Sequence, residues 1–217
     1  MTDVKNPIID YQTSMRKFGM FSSLLLDGPY RDLWRNITPF LKLMKFYNAP
    51  ASTKFHLSCP GGLLMHSVNV VDTAIMLSGE KFPGIKPDKI LLAGLLHDIG
   101  KCGFLQDDGT LVERYVKNPE PFPTWPKQQK WWAPYLYQDS EPLFNVRDLS
   151  ALYVSQWGCP WDVVQAVLAH DGVFVEANKD YFKSTPAPLT LLLHLADYMS
   201  CAGLESKSVV YRERCEQ

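Results

Sequence analysis

The sequence predicts an all-α chain interrupted by one non-helical insert, and two observations carry that prediction. Apolar residues recur at helical intervals along most of the 217 residues, and proline or glycine marks the points where one periodic stretch gives way to the next. Between about residues 103 and 149 the periodicity fails, which sets the insert apart. Residues 1–54 read as a helical preface packed on the core and residues 55–217 as the main unit. The chain length favours one structural domain over two.

In the preface, the stretch 30–37 leads through Pro39 into 40–47 on a helical period, and Tyr47-Asn48-Ala49-Pro50 breaks it. Pro60-Gly61-Gly62 then enforces a turn, where two glycines allow the backbone to approach the site closely. A helix follows with Val68, Val70, Val71, Ala74 and Leu77, stopping near Ser78-Gly79. Pro87-Asp88-Lys89 opens the next, which runs through Ile90 to Leu96. The short connection makes these two helices antiparallel neighbours, so the start of one faces the end of the other.

The insert begins with a hairpin signal, Gln106-Asp107-Asp108-Gly109 between 102–105 and 110–116. An aromatic stretch with Trp125, Trp131, Trp132, Tyr135 and Tyr137 comes next. It reads as an irregular loop packed down by its own rings, the alternative being a lid in which Trp131 and Trp132 stack on a nucleobase. Helices resume over 146–157 and 161–172, separated by Trp157-Gly158-Cys159-Pro160, and an apolar helix covers 191–198.

The chemistry is concentrated at Leu95-Leu96-His97-Asp98-Ile99-Gly100-Lys101, where a buried helix runs out in two adjacent residues of metal-ligand type and a lysine follows. A neighbouring His and Asp cannot share a helix face, but both reach a cation lying beyond the helix end, and the carboxylate is able to bridge two ions. His66, at the start of its helix, and Asp197, in an otherwise apolar helix, complete a set of four. A carboxylate in such surroundings needs a partner or a metal.

These residues resemble the HD-domain superfamily of metal-dependent phosphohydrolases, whose signature is a lone His, a His-Asp pair and a distant Asp on separate helices of an all-α bundle. Here 31 residues separate His66 from His97 and 99 separate Asp98 from Asp197. The Gly61-Gly62-Leu63-Leu64 block before His66 is locally similar to the HD domain of RNA-trimming exoribonucleases. The resemblance implies that His66, His97, Asp98 and Asp197 hold a divalent ion (Mn, Co, Fe, Mg, Ni or Zn), with a second ion left open. It makes Lys101 a phosphate contact and gives His170, which ends its helix beside Asp171-Gly172, a role in catalysis or phosphate binding. Asp98, Lys101 and His170 are thus the expected catalytic set.

Two-metal members usually carry another histidine between the pair and the position of His170, and this chain has none there. Asn145 stands near the matching point, so Asn145, Asp171 and His194 are the candidates for a second metal or for supporting contacts. His56 and His194 read first as structural.

The implied reaction is hydrolysis of a phosphoester or phosphoanhydride bond in a small nucleotide: a deoxynucleoside mono- or triphosphate, a cyclic nucleotide or a short oligonucleotide. A non-catalytic nucleotide-binding regulatory module and a di-iron oxygenase are the alternatives. The first would not need a complete ligand set, and the second needs histidines this chain lacks. A net charge of -1 gives no footprint for long nucleic acid. Neither a membrane span nor the apolar core of a signal peptide is visible, so the expectation is a cytoplasmic protein, with homo-oligomerisation left open. Five cysteines with no C-x-x-C spacing read as reduced thiols, Cys102 as a small buried one.

Overall fold

In the computed structural model, which describes residues 10–119, 133–138 and 144–205, the first helix, α1 (Tyr11–Asp27), starts at Asp10, whose carboxylate accepts the Thr13 backbone N–H at 3.0 Å. After a short reversal, α2 (Arg31–Leu43) buries Trp34, Ile37 and Leu41 on one face. Trp34 Nε1 donates to Ser22 Oγ at 2.7 Å, so the buried indole has its partner. Phe18 of α1 contacts the rings of Trp34, Phe46 and Tyr47, which ties the preface to the turn that follows it.

The next two helices, α3 (Gly62–Lys81) and α4 (Pro87–Leu96), form the centre. Every residue from Gly61 to Val71 and from Ile90 to Gly100 is buried, as expected of helices apolar on all sides. Gly94 lies against Val71, where a Cβ would come within 2.6 Å of Val71 Cγ2, and His66 meets His97. These reversed pairings make α3 and α4 antiparallel and closely packed.

At the start of α3 the double glycine serves a different neighbour from the one the sequence suggests. A Cβ on Gly62 would lie 1.9 Å from the Leu57 carbonyl oxygen and 2.9 Å from Ala51 N, so the close approach is to the 51–57 loop and not to the site. Because both obstacles are backbone, Gly62→Ala is expected to cost about 3 kcal/mol, the upper end for overpacking. Chemical denaturation should show a lower midpoint at constant slope; a change under about 0.5 kcal/mol, ordinary for a neutral surface substitution, would mean that the loop yields.

The predicted hairpin is present: β1 (Gly103–Leu105) pairs antiparallel with β2 (Leu111–Glu113), and Asp108 Oδ1 accepts Thr110 N at 2.8 Å in the turn. The single strand expected over 110–116 is broken at Arg114. Its buried guanidinium donates to Tyr137 Oη at 2.7 Å and to the Phe144 carbonyl at 2.8 Å. Beyond it, β3 (Tyr115–Lys117) pairs instead with β4 (Tyr135–Tyr137). Trp125, Trp131 and Trp132, and with them the proposed lid, lie outside the described residues.

The remaining helices are α5 (Val146–Gln156), α6 (Trp161–Ala169), the short α7 (Lys179–Lys183) and α8 (Pro188–Tyr198), followed by a π-helical turn over Met199–Leu204. In this arrangement α3 packs on α1, α4 and α8, while α6 packs on α4, α5 and α8. The fold is all-α with a small β insert. Among the described residues no helix is long and apolar enough to cross a membrane.

Candidate metal centre

The structure brings His66, His97, Asp98 and Asp197 together from three helices and the turn after α4. His66 Nε2 lies 3.1 Å from His97 Nε2, 3.4 Å from Asp98 Oδ2 and 3.2 Å from Asp197 Oδ1. His97 Nε2 lies 3.3 Å from Asp98 Oδ2. The turn carrying Asp98 is clamped to α5, since Gly100 N donates to Ser150 Oγ at 2.9 Å. That hydroxyl donates in turn to the Val146 carbonyl.

The imidazole tautomers decide what this cluster can hold. A carbonyl oxygen only accepts, so His97 Nδ1 must donate to the Gly94 carbonyl (2.9 Å) and His170 Nδ1 to the Val167 carbonyl (2.6 Å). His66 Nδ1 faces the Glu205 carboxylate at 3.0 Å and donates to it. When neutral, as a bound cation would require, all three rings therefore present an Nε2 lone pair inward, and two carboxylates point oxygens at the same place. Two lone pairs 3.1 Å apart repel unless a proton or a cation lies between them. Mixed nitrogen and oxygen donors of this kind fit a divalent ion of the transition series or Mg.

His170 joins the cluster from the end of α6, its Nε2 lying 3.7 Å from Asp98 Oδ1, while the other Asp98 oxygen serves His66 and His97. The donor sets His66/His97/Asp98 and His97/His170/Asp197 overlap through His97, forming one connected cluster. Asp171 sits half-exposed at its rim, 3.7 Å from His170 Nε2. Lys101 places Nζ 2.5 Å from Asp98 Oδ2.

Two of the proposed additional ligands are committed elsewhere. Asn145 caps α5: Oδ1 accepts Asp148 N at 2.9 Å and Nδ2 donates to Asp148 Oδ2 at 2.8 Å, so its amide does not replace the missing imidazole. His194 Nδ1 donates to the His170 carbonyl at 2.9 Å, and its ring fills the space that a Cβ on Gly172 would need. It therefore holds the turn after His170, a supporting contact and not a ligand; Gly172, at φ 58, also ends α6 before the predicted boundary.

The sequence reading missed Glu205, and His56, read there as structural, lies against it. Both lie on the far side of the His66 ring: His56 Nδ1 is 2.5 Å from Glu205 Oε2, and Asn69 Nδ2 donates to Glu205 Oε1 at 3.0 Å. Cys201 Sγ donates to Asp197 Oδ1 at 3.4 Å. A glutamate at the end of the small and apolar run 199–204 was the available signal.

Charge is strongly coupled here. Burial alone would raise the Asp98 carboxyl, but Lys101 and His97, with His170 and His66, hold it well below the usual range. Burial would lower His66, yet Glu205, Asp197 and Asp98 keep it well above the ordinary imidazole value. The same contest leaves His170 raised to about 9, with Asp98, Asp171 and Asp197 outweighing burial. In the protein stripped of metal, raised histidines add stability that is complete below about pH 6.5 and lost as pH rises through their folded values. Lowered carboxylates add stability present above about pH 4 and lost toward acid. The melting temperature in chelator should thus peak in mild acid and fall through pH 9. With Mn²⁺ the alkaline fall should shrink, and an identical fall in both conditions would separate the ion from these histidines.

The HD domain family model matches residues 63–201, well over half of the chain. The chain belongs to this family, within the HD-domain superfamily of metal-dependent phosphohydrolases. Members are mostly metal-dependent hydrolases and bind divalent metals. No curated protein and no solved structure matches the chain.

Proposed function

We propose that this chain is a metal-dependent phosphohydrolase that cleaves a phosphoester or phosphoanhydride bond of a small nucleotide. The observation that carries the reading is the inward convergence of three Nε2 lone pairs and two carboxylates beside a lysine ammonium. His66, His97, Asp98 and Asp197 would hold the ion, which when bound polarises a phosphoryl oxygen and makes hydroxide available near neutral pH.

The chain's own residues supply the rest. Lys101 Nζ, resting on Asp98, is the cation that meets a phosphate oxygen arriving at that carboxylate and offsets charge developing on it. His170, with Nδ1 committed to Val167, carries any further proton on Nε2, where it faces Asp98 and can be given to a leaving oxygen. Support for a nucleotide comes from an exposed aromatic pair, one member next to Asp197 in sequence and the other three residues after Asp171. Phe174 and Tyr198 stack with centroids 5.5 Å apart and an interplanar angle of 30°, and are 69% and 52% exposed. Such faces accept a base without regard to its identity.

The test is a release assay with the Mn²⁺-loaded protein on deoxynucleoside mono- and triphosphates, cyclic nucleotides, short oligonucleotides and a generic aryl phosphoester. Nucleotide turnover well above the generic ester supports the proposal. Metal and nucleotide binding without release would make the chain a regulatory module, and metal-dependent oxygen consumption would make it an oxygenase.

A further inference from the structure

We propose that Glu205 is a positioning residue which, backed by His56, fixes the tautomer of His66 and so sets the affinity of the site for its divalent ion. This rests on the metal-site reading above and extends it to residues outside the four-ligand pattern.

Glu205 is 2% exposed, and its carboxylate receives three nitrogen donors. Oε1 accepts from His66 Nδ1 and from Asn69 Nδ2, both at 3.0 Å, and Oε2 faces His56 Nδ1 at 2.5 Å. His97 and His170 lean on backbone carbonyls of their own helices, one turn back. His66 cannot do so, because it lies in the first turns of α3, where the carbonyls one turn back accept helical N–H groups, whereas His97 and His170 sit at helix ends. It needs an acceptor from elsewhere, and Glu205 is that acceptor. A carboxylate does more than a carbonyl in this place: both keep the hydrogen on Nδ1, but its negative charge also makes the ring a stronger donor to a cation.

The surrounding structure is built to hold this arrangement. The π-helical turn Met199–Leu204 shifts the angular progress of side chains after Asp197, and the next residue, Glu205, lands on His66. The loop bearing His56 is pinned by Ser52, whose hydroxyl donates to the His56 carbonyl at 2.7 Å and accepts the Phe55 N–H. Leu57, next in sequence, adopts φ 43, a left-handed conformation unusual for a branched residue and kept here by full burial.

The alternative, a separate ion held by His56, Cys201 and Glu205, fits less well. Cys201 Sγ does lie 3.5 Å from His56 Nδ1, but both Glu205 oxygens are already engaged by N–H donors and the thiol hydrogen is directed to Asp197.

The experiment compares Mn²⁺ affinity by titration calorimetry in the full chain and in E205A, E205Q and H56Q, with the melting temperature of each metal-free protein. A glutamine oxygen still accepts from His66 but carries no charge. We expect about a 10–100-fold weaker affinity in E205A, partial recovery in E205Q and a smaller loss in H56Q. The ¹⁵N spectrum of the Zn²⁺-loaded protein should show a protected Nδ1–H on His66 that broadens or vanishes in E205A. Unchanged Mn²⁺ affinity in folded E205A would overturn the proposal. So would a loss that tracks the metal-free melting temperature and that E205Q fails to relieve; if E205A does not fold, E205Q and H56Q with affinities equal to that of the parent chain decide the same way. Absence of Mn²⁺ binding by the parent chain would instead remove the metal-site reading itself.

Discussion

Asp98→Asn should leave the chain without a retained divalent ion and without turnover. The amide keeps the volume of the side chain, but it cannot offer two anionic oxygens, one to His66 and His97 and one to His170. Loss of a group that works as a unit with its partners lowers kcat on the order of 10³-fold or more. The variant also leaves the Lys101 ammonium, only 14% exposed, without its counter-charge. Removing one partner from a buried pair of this kind costs about 3–5 kcal/mol, so the metal-free variant should melt early. Elemental analysis after metal loading and desalting is the direct check, and full occupancy would refute the assignment of Asp98.

Lys101→Ala should separate chemistry from metal binding. Its ammonium touches the same Asp98 oxygen that faces His66 and His97, so it is a cation competing at the metal ligand as well as a partner for incoming phosphate. Removal should leave metal occupancy equal or tighter while kcat falls by about 10²–10³, the scale of losing one preorganised contact to developing charge. If kcat holds, Lys101 only neutralises Asp98. If the ion is lost, Lys101 is part of the scaffold that positions the ligands.

Much of this was legible in the chain because the signals were local. His97-Asp98 ends an unbroken apolar run, His66 follows a proline-glycine turn, and Asp197 interrupts an apolar helix, so each stands out from its neighbours. The hairpin was readable for the same reason, its turn residues lying between two short apolar strands. What escaped was non-local. Strand β4 reaches β3 from about twenty residues further on, steered by the buried Arg114 guanidinium. Glu205 reaches His66 through a π turn whose register a helical period does not reproduce. Asn145, considered from the sequence for a second metal or a supporting contact, is the cap of α5, a role that an amide at a helix start commonly takes.

The helices that bring these residues together do so by their carboxyl-terminal ends. His97 is the C-cap of α4, His170 the C-cap of α6, and Asp197 stands one residue before α8 finishes. Each such end carries roughly half a negative charge from its unpaired carbonyls. Two such ends, those of α4 and α6, therefore point at a site already lined by carboxylates, whereas α8 passes on into the π-helical turn and α3 turns its opposite pole nearby. In the metal-free protein the cations Lys101, His66 and His170 are already paired with Asp98, Asp197 and Glu205, which favours an order of binding: the metal enters first, and only then does a phosphate group find an uncommitted positive charge. Inorganic phosphate should accordingly bind the Mn²⁺-loaded protein and leave the metal-free protein untouched.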